Sequence, residues 1–134
     1  MIKKIIIYAS ISLLGMSCNM KSKSDPNRIV GLEAAMDISK ASPISAKQAA
    51  LIMEKYITDN PNAPFKLFLP PRICYVTKGG NYFFPKYIYF KRECMLVGYY
   101  VSGQTGEITV IKEPQKRFVP DYTREGSKQL LSSE

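Results

Sequence analysis

Reactive side chains are few in this chain of 134 residues: it has three cysteines, Cys18, Cys74 and Cys94, and no histidine. Histidine is the commonest general base near neutral pH, the usual partner of a nucleophilic hydroxyl or thiol, and a favoured zinc ligand. Its absence argues against all three kinds of chemistry. Glu93 and Glu107 could be drawn as an acid–base pair, but no local pattern brings them together, and scattered carboxylates are usually solvated. Gly79-Gly80 reads as a turn, because neither a phosphate-binding loop nor a dinucleotide fingerprint surrounds it. The expectation is a protein that is not an enzyme and needs neither metal nor cofactor. What chemistry remains sits at the cysteines.

Cys18 closes a patterned N-terminus. Met1-Ile2-Lys3-Lys4 is a short basic segment, and Ile5 to Met16 is a mostly apolar run of 12 residues. That order matches a secretory signal, and the run is well short of the roughly 20 apolar residues that a bilayer span takes. The stretch Leu13-Leu14-Gly15-Met16-Ser17-Cys18 resembles the bacterial lipoprotein signal, with Leu14 one step earlier than the family pattern places it. The resemblance implies a signal peptide over 1–17, acylation of Cys18, and a chain held to the envelope by lipid. Asn19 in the second mature position implies sorting to the periplasmic face of the outer membrane. An ordinary secretory signal or an uncleaved apolar anchor is the alternative. Residues 18–27 then form a polar, lipidated tether.

Acylating Cys18 resolves the odd cysteine count and leaves Cys74 and Cys94, with 19 residues between them, in a compartment that permits disulfides. A bridge between them would contribute about 3 kcal/mol. Two buried, unpaired thiols are the other reading. The charge balance, 19 Lys and Arg against 11 Asp and Glu, favours an anionic partner. Because these bases run from Lys3 to Lys128 without a recognition motif, nucleic acid is not expected.

The elements that position these groups can be read from periodicity. Ser45 followed by Gln48 is a capping box, and Ala49, Ile52, Met53 and Tyr56 make one apolar stripe of a helix that should stop near Asn60-Pro61. Upstream, Arg28 to Ala41 reads as a short helix or a covering arm. Phe65 to Leu69 reads as a short strand and Arg72 to Thr77 as another, before a turn at Lys78 to Asn81. Leu96 to Lys112 is the firmest element, a hairpin whose first arm alternates Val97, Tyr99 and Val101 with Leu96, Gly98 and Tyr100. Between the arms, Gly103 and Gly106 are expected to supply positive φ values. The order implies an α+β fold: one amphipathic helix packed on an antiparallel sheet closed by a C-terminal hairpin, in a single domain over 28–112. Residues 113–134 read as a polar tail, partly docked and frayed at its end.

Tyr82 to Phe90 packs six aromatics into nine residues, with Pro85 marking an edge strand or a bulge. Two uses compete for them: covering the helix and hairpin, or forming a partner-binding patch. The patch would comprise Tyr82, Phe84, Lys86, Tyr87, Tyr89, Lys91 and Arg92, apolar with a positive rim.

Ile44-Ser45-Ala46-Lys47-Gln48-Ala49 together with Gly98 to Ile108 resembles the PepSY domain, whose unit opens with an Ile-Ser-x-x-x-Ala helix and closes with a Tyr-x-Val-x-x-x-Thr-Gly hairpin. The resemblance spans about 44–112, and it implies a non-catalytic binding or inhibitory module acting on a protease or sensor in the envelope. The chain is also similar to small immunity lipoproteins with a nuclear-transport-factor-like fold, which neutralise a delivered toxin, although their tryptophan is absent here. In either case the expected partner is an envelope protein, and the membrane is contacted through the lipid anchor.

Overall fold

The computed structural model describes residues 25–90, 93–115, 122 and 124–132, without the side chains of 88–90, 93–94 and 115. The segment expected to be a signal peptide, Cys18, most of the expected tether, Lys91 and Arg92 lie outside the described residues.

Two helices come first, α1 (Leu32–Ala41) and α2 (Ala46–Asp59). At the start of α2 the capping box forms: Gln48 N–H donates to Ser45 Oγ at 3.2 Å, and Ser45 N–H donates to Gln48 Oε1 at 2.8 Å. At its end, the Asn60 backbone N–H and side-chain amide both donate to the Tyr56 carbonyl, at 3.0 and 2.8 Å. Ala46, Ala49 and Met53 are buried, and Ile52 and Tyr56 pack on the same cluster. Buried Ser39 ties the helices together, its Oγ accepting from Ala46 N–H at 2.8 Å.

Four antiparallel strands then follow in chain order: β1 (Tyr75–Val76), β2 (Asn81–Phe90), β3 (Glu93–Ser102) and β4 (Ile108–Gln115). The fold is therefore α+β, helices layered on an antiparallel sheet with the β3–β4 hairpin last. Tyr99 and Val101 face the helices beside Val76, Tyr82 and Phe84. Leu96 and Tyr100 face the other way, with Ile29, Tyr75, Phe83 and Tyr122. Both sheet faces thus bury apolar groups, which is why β2 and β3 carry aromatics at successive positions instead of alternating with polar residues. At the hairpin tip only Gly106 has a positive φ, of 78°. Gly103 is needed for another reason: a Cβ there would overlap the Gly80 carbonyl oxygen, to which Gly103 N–H donates.

Three expectations are revised. Phe65 to Leu69 forms no strand, and the strand expected over Arg72 to Thr77 shortens to Tyr75–Val76, because prolines at 64, 70 and 71 remove ladder donors around the first segment. Residues 28–30 instead cover the outer edge of β1, with Val30 N–H donating to the Val76 carbonyl at 2.9 Å. The polar tail also contains a helix, α3 (Arg124–Ser132), packed against α1 and α2. Leu130 of α3 lies in the helix-side core, and Gly126 and Ser127 are buried with it. A Cβ at Gly126 would sit 2.8 Å from the Tyr122 Cβ, so the small residue lets the chain fold this closely.

Candidate partner-binding cleft

Tyr82 and Phe84 belong to the core, contrary to their expected place in an exposed patch. Both are fully buried under the helices, and the Tyr82 hydroxyl donates to the Ile44 carbonyl at 2.6 Å. Alternation explains the division, since residues 82 and 84 share the helix face of β2 near its start. Lys86 continues that face beyond the helices and is exposed. Tyr87, on the opposite face, is 41% exposed and its hydroxyl lies 2.8 Å from that of Tyr75. The side chains of Tyr89, Lys91 and Arg92 are outside the described residues.

Lys86 and Tyr87 border a cleft of about 350 Å³ between β2 and residues 66–73. One wall is held by two bridges from the sheet. The Tyr99 hydroxyl donates to the Phe65 carbonyl at 2.6 Å and accepts from its N–H at 2.9 Å, while Lys86 Nζ donates to the Lys66 carbonyl at 3.1 Å. Leu67, Phe68, Ile73 and Pro85 give the cleft apolar sides. Phe68 is 85% exposed, an unusual position for a large apolar side chain.

The far end is positioned by α3. The Tyr122 hydroxyl donates to the Cys74 carbonyl at 3.0 Å, and Ser127 Oγ accepts from Cys74 N–H at 3.3 Å. These bonds set the start of α3 against β1, so that Arg124 joins Arg72 at the cleft. Pro71, Arg72 and Arg124 also line a neighbouring hollow of about 580 Å³, which adds Lys47, Lys128 and Glu125. Together the two hollows are lined by six basic side chains, Lys47, Lys66, Arg72, Lys86, Arg124 and Lys128, and by one carboxylate, Glu125. Such a groove concentrates positive potential over an apolar floor.

Cys74, Tyr75 and Tyr122 are buried. Burial pushes the Cys74 thiol far above its ordinary value, and burial together with the Tyr87 hydroxyl does the same for Tyr75. Burial, with a smaller contribution from Cys74, raises Tyr122 as well. At neutral pH these groups offer neither a thiolate nor a phenolate. Among the described residues no group of three or more acidic or cysteine side chains could hold a metal ion.

Cys74 is a free, fully buried thiol. Cys94 pairs through its backbone with Tyr89, whereas Cys74 adjoins Tyr75, the partner of Phe83. The expected Cys74–Cys94 bridge turns on the Cys94 side chain, which lies outside the described residues.

No family model, curated protein or solved structure matches this chain. Lys66, Phe68, Arg72 and Arg124 were not among the residues expected at a site from the sequence. Their one sequence signal is the Pro70-Pro71 pair, which strands Phe68 and Leu69 outside any ladder.

Proposed function

We propose that the protein is an envelope-anchored lipoprotein that works without catalysis, by binding another envelope protein as the PepSY resemblance implies. The observation that carries this reading is the cleft between residues 66–73 and β2, where Phe68 stands exposed among Lys66, Arg72, Lys86 and Arg124. A large apolar anchor ringed by cations suits a partner surface that is apolar at its centre and acidic at its rim. Burial pushes up the Cys74 thiol and the Tyr75 and Tyr122 hydroxyls, so none of these three is an anionic nucleophile at neutral pH.

The experiment is site-specific photo-crosslinking in intact cells, with a benzophenone amino acid replacing Phe68 or, as a control, the exposed Leu51 of α2. An adduct with one envelope protein from position 68, lost when Arg72→Glu and Lys86→Glu are combined with it, supports the reading. No adduct at 68, or the same adduct from 51, overturns it. Identification of the captured protein separates the roles, since a protease or sensor assigns regulation and a toxin assigns immunity.

Among the described residues no helix is long and apolar enough to cross a membrane. The proposed attachment is through a lipid on Cys18. Treatment with globomycin, or Cys18→Ala, is expected to leave a slower-migrating precursor and to abolish labelling by a palmitate analogue. Unchanged migration with no labelling of the wild type would exclude the lipid anchor.

A further inference from the structure

The cleft opens on a strand edge that has no neighbour among the described residues. β1 pairs with β2 only at Phe83 and Tyr82, although β2 runs on to Phe90. Residues 66–73 form no strand, and the cleft lies between them and Phe84 to Tyr87. Among the described residues, therefore, nothing pairs with β2 from Pro85 to Phe90 on the side away from β3.

The direction of the backbone groups along that edge follows from one bond. Thr77 N–H donates to the Asn81 carbonyl at 2.8 Å, so the polar groups of residue 81 point toward β1. Backbone polarity alternates along an antiparallel strand, and residues 83, 85, 87 and 89 must point the same way. Pro85 then loses nothing to β3 by lacking an N–H, which is the edge placement that proline requires. Tyr87 and Tyr89 each present both an N–H and a carbonyl to the open side.

We infer that this edge, from Pro85 to Phe90, is a strand-addition site for an extended acidic segment of a partner protein. The segment would continue the line of β1, antiparallel to β2, with its end in the cleft beside Phe68. Pairing to the carbonyls of Pro85, Tyr87 and Tyr89 and to the N–H groups of Tyr87 and Tyr89 supplies affinity without regard to sequence, and the surroundings supply selection. Lys66, Arg72, Lys86 and Arg124 favour carboxylates on the incoming strand. The same cations disfavour a second copy of this chain, whose own edge carries Lys86 and would meet it with like charge. The inference rests on the protein-binding reading above and specifies how the partner is held.

The test uses the full chain in detergent and a fluorescent heptapeptide of alternating Glu and Val. Two further peptides carry N-methyl groups on alternate amides, one on each of the two possible sets. An extended peptide turns only one set toward β2, so one methylated peptide should bind like the parent and the other about tenfold or more weaker, as lost backbone hydrogen bonds require. Amide hydrogen exchange at Tyr87 should slow in the parent complex. If both methylated peptides bind alike, strand addition is wrong while the protein-binding reading survives; failure of crosslinking at Phe68 is what defeats that reading. Binding to phosphatidylglycerol vesicles but not to the acidic peptide would assign the groove to lipid headgroups and overturn the inference. Protection of Tyr87 in a dimer without peptide would place a second copy on the edge and overturn it equally.

Discussion

Gly98→Ala is expected to destabilise the fold by about 3 kcal/mol or more, enough to consume much of the stability of a domain this size. Gly98 lies in the middle of β3 with φ of 146°, a region that residues with a Cβ rarely adopt. A Cβ there would also overlap the carbonyl oxygen of Phe84 on the neighbouring strand, and would approach the Phe84 carbonyl carbon and Pro85 Cα to 3.1 Å each. Neither strand can yield easily. Gly98 pairs with Pro85 on one side and Ile111 on the other, and the register shift between Leu96 and Gly98 already bends the strand there. Urea unfolding followed by circular dichroism measures the effect. A midpoint close to that of the wild type would mean that β3 does not take this path.

The second large effect separates two tyrosines from the same aromatic run. Tyr82→Ala should cost about 3 to 5 kcal/mol, because it empties a fully buried site and leaves the Ile44 carbonyl without its donor. Tyr82→Phe, which keeps the ring and removes only the hydroxyl, should cost about 1 kcal/mol. Tyr87→Ala should cost no more than about 1 kcal/mol, since its ring is 41% exposed and its hydroxyl pairs only with that of Tyr75. Binding should show the reverse order, with Tyr87→Ala weakening partner capture and Tyr82→Phe leaving it intact. Equal destabilisation by the two alanine variants would contradict the alternation of β2.

Elements defined by a few neighbouring residues were legible from the chain. The capping box at Ser45 and Gln48, the apolar stripe of α2, and the alternation of Tyr99 and Val101 with Tyr100 each depend on geometry repeating within a turn of helix or a pair of strand residues. The edge character of Pro85 was readable for the same reason, because its missing N–H constrains only its immediate neighbours. α3 was not legible. Its buried face is Gly126, Ser127 and Leu130, residues whose small size matters only once Tyr122 and the other helices are beside them.

By itself the sequence determined the class of the fold, the start of α2, the β3–β4 hairpin and an overall positive charge of +8. These follow from local hydrogen bonding, side-chain period and composition, none of which needs a distant contact. Tertiary structure alone decided which aromatics of β2 are core and which are surface, since that depends on how far the helices reach along the strand. It likewise decided where the charge gathers. Lys66, Arg72, Lys86 and Arg124 come from three separated stretches, and they meet because Tyr99 holds Phe65, Lys86 holds the Lys66 carbonyl, and Tyr122 and Ser127 hold Cys74. Each of those bonds joins residues 20 to 53 positions apart, beyond the reach of any local pattern, so the cleft exists only in the folded chain.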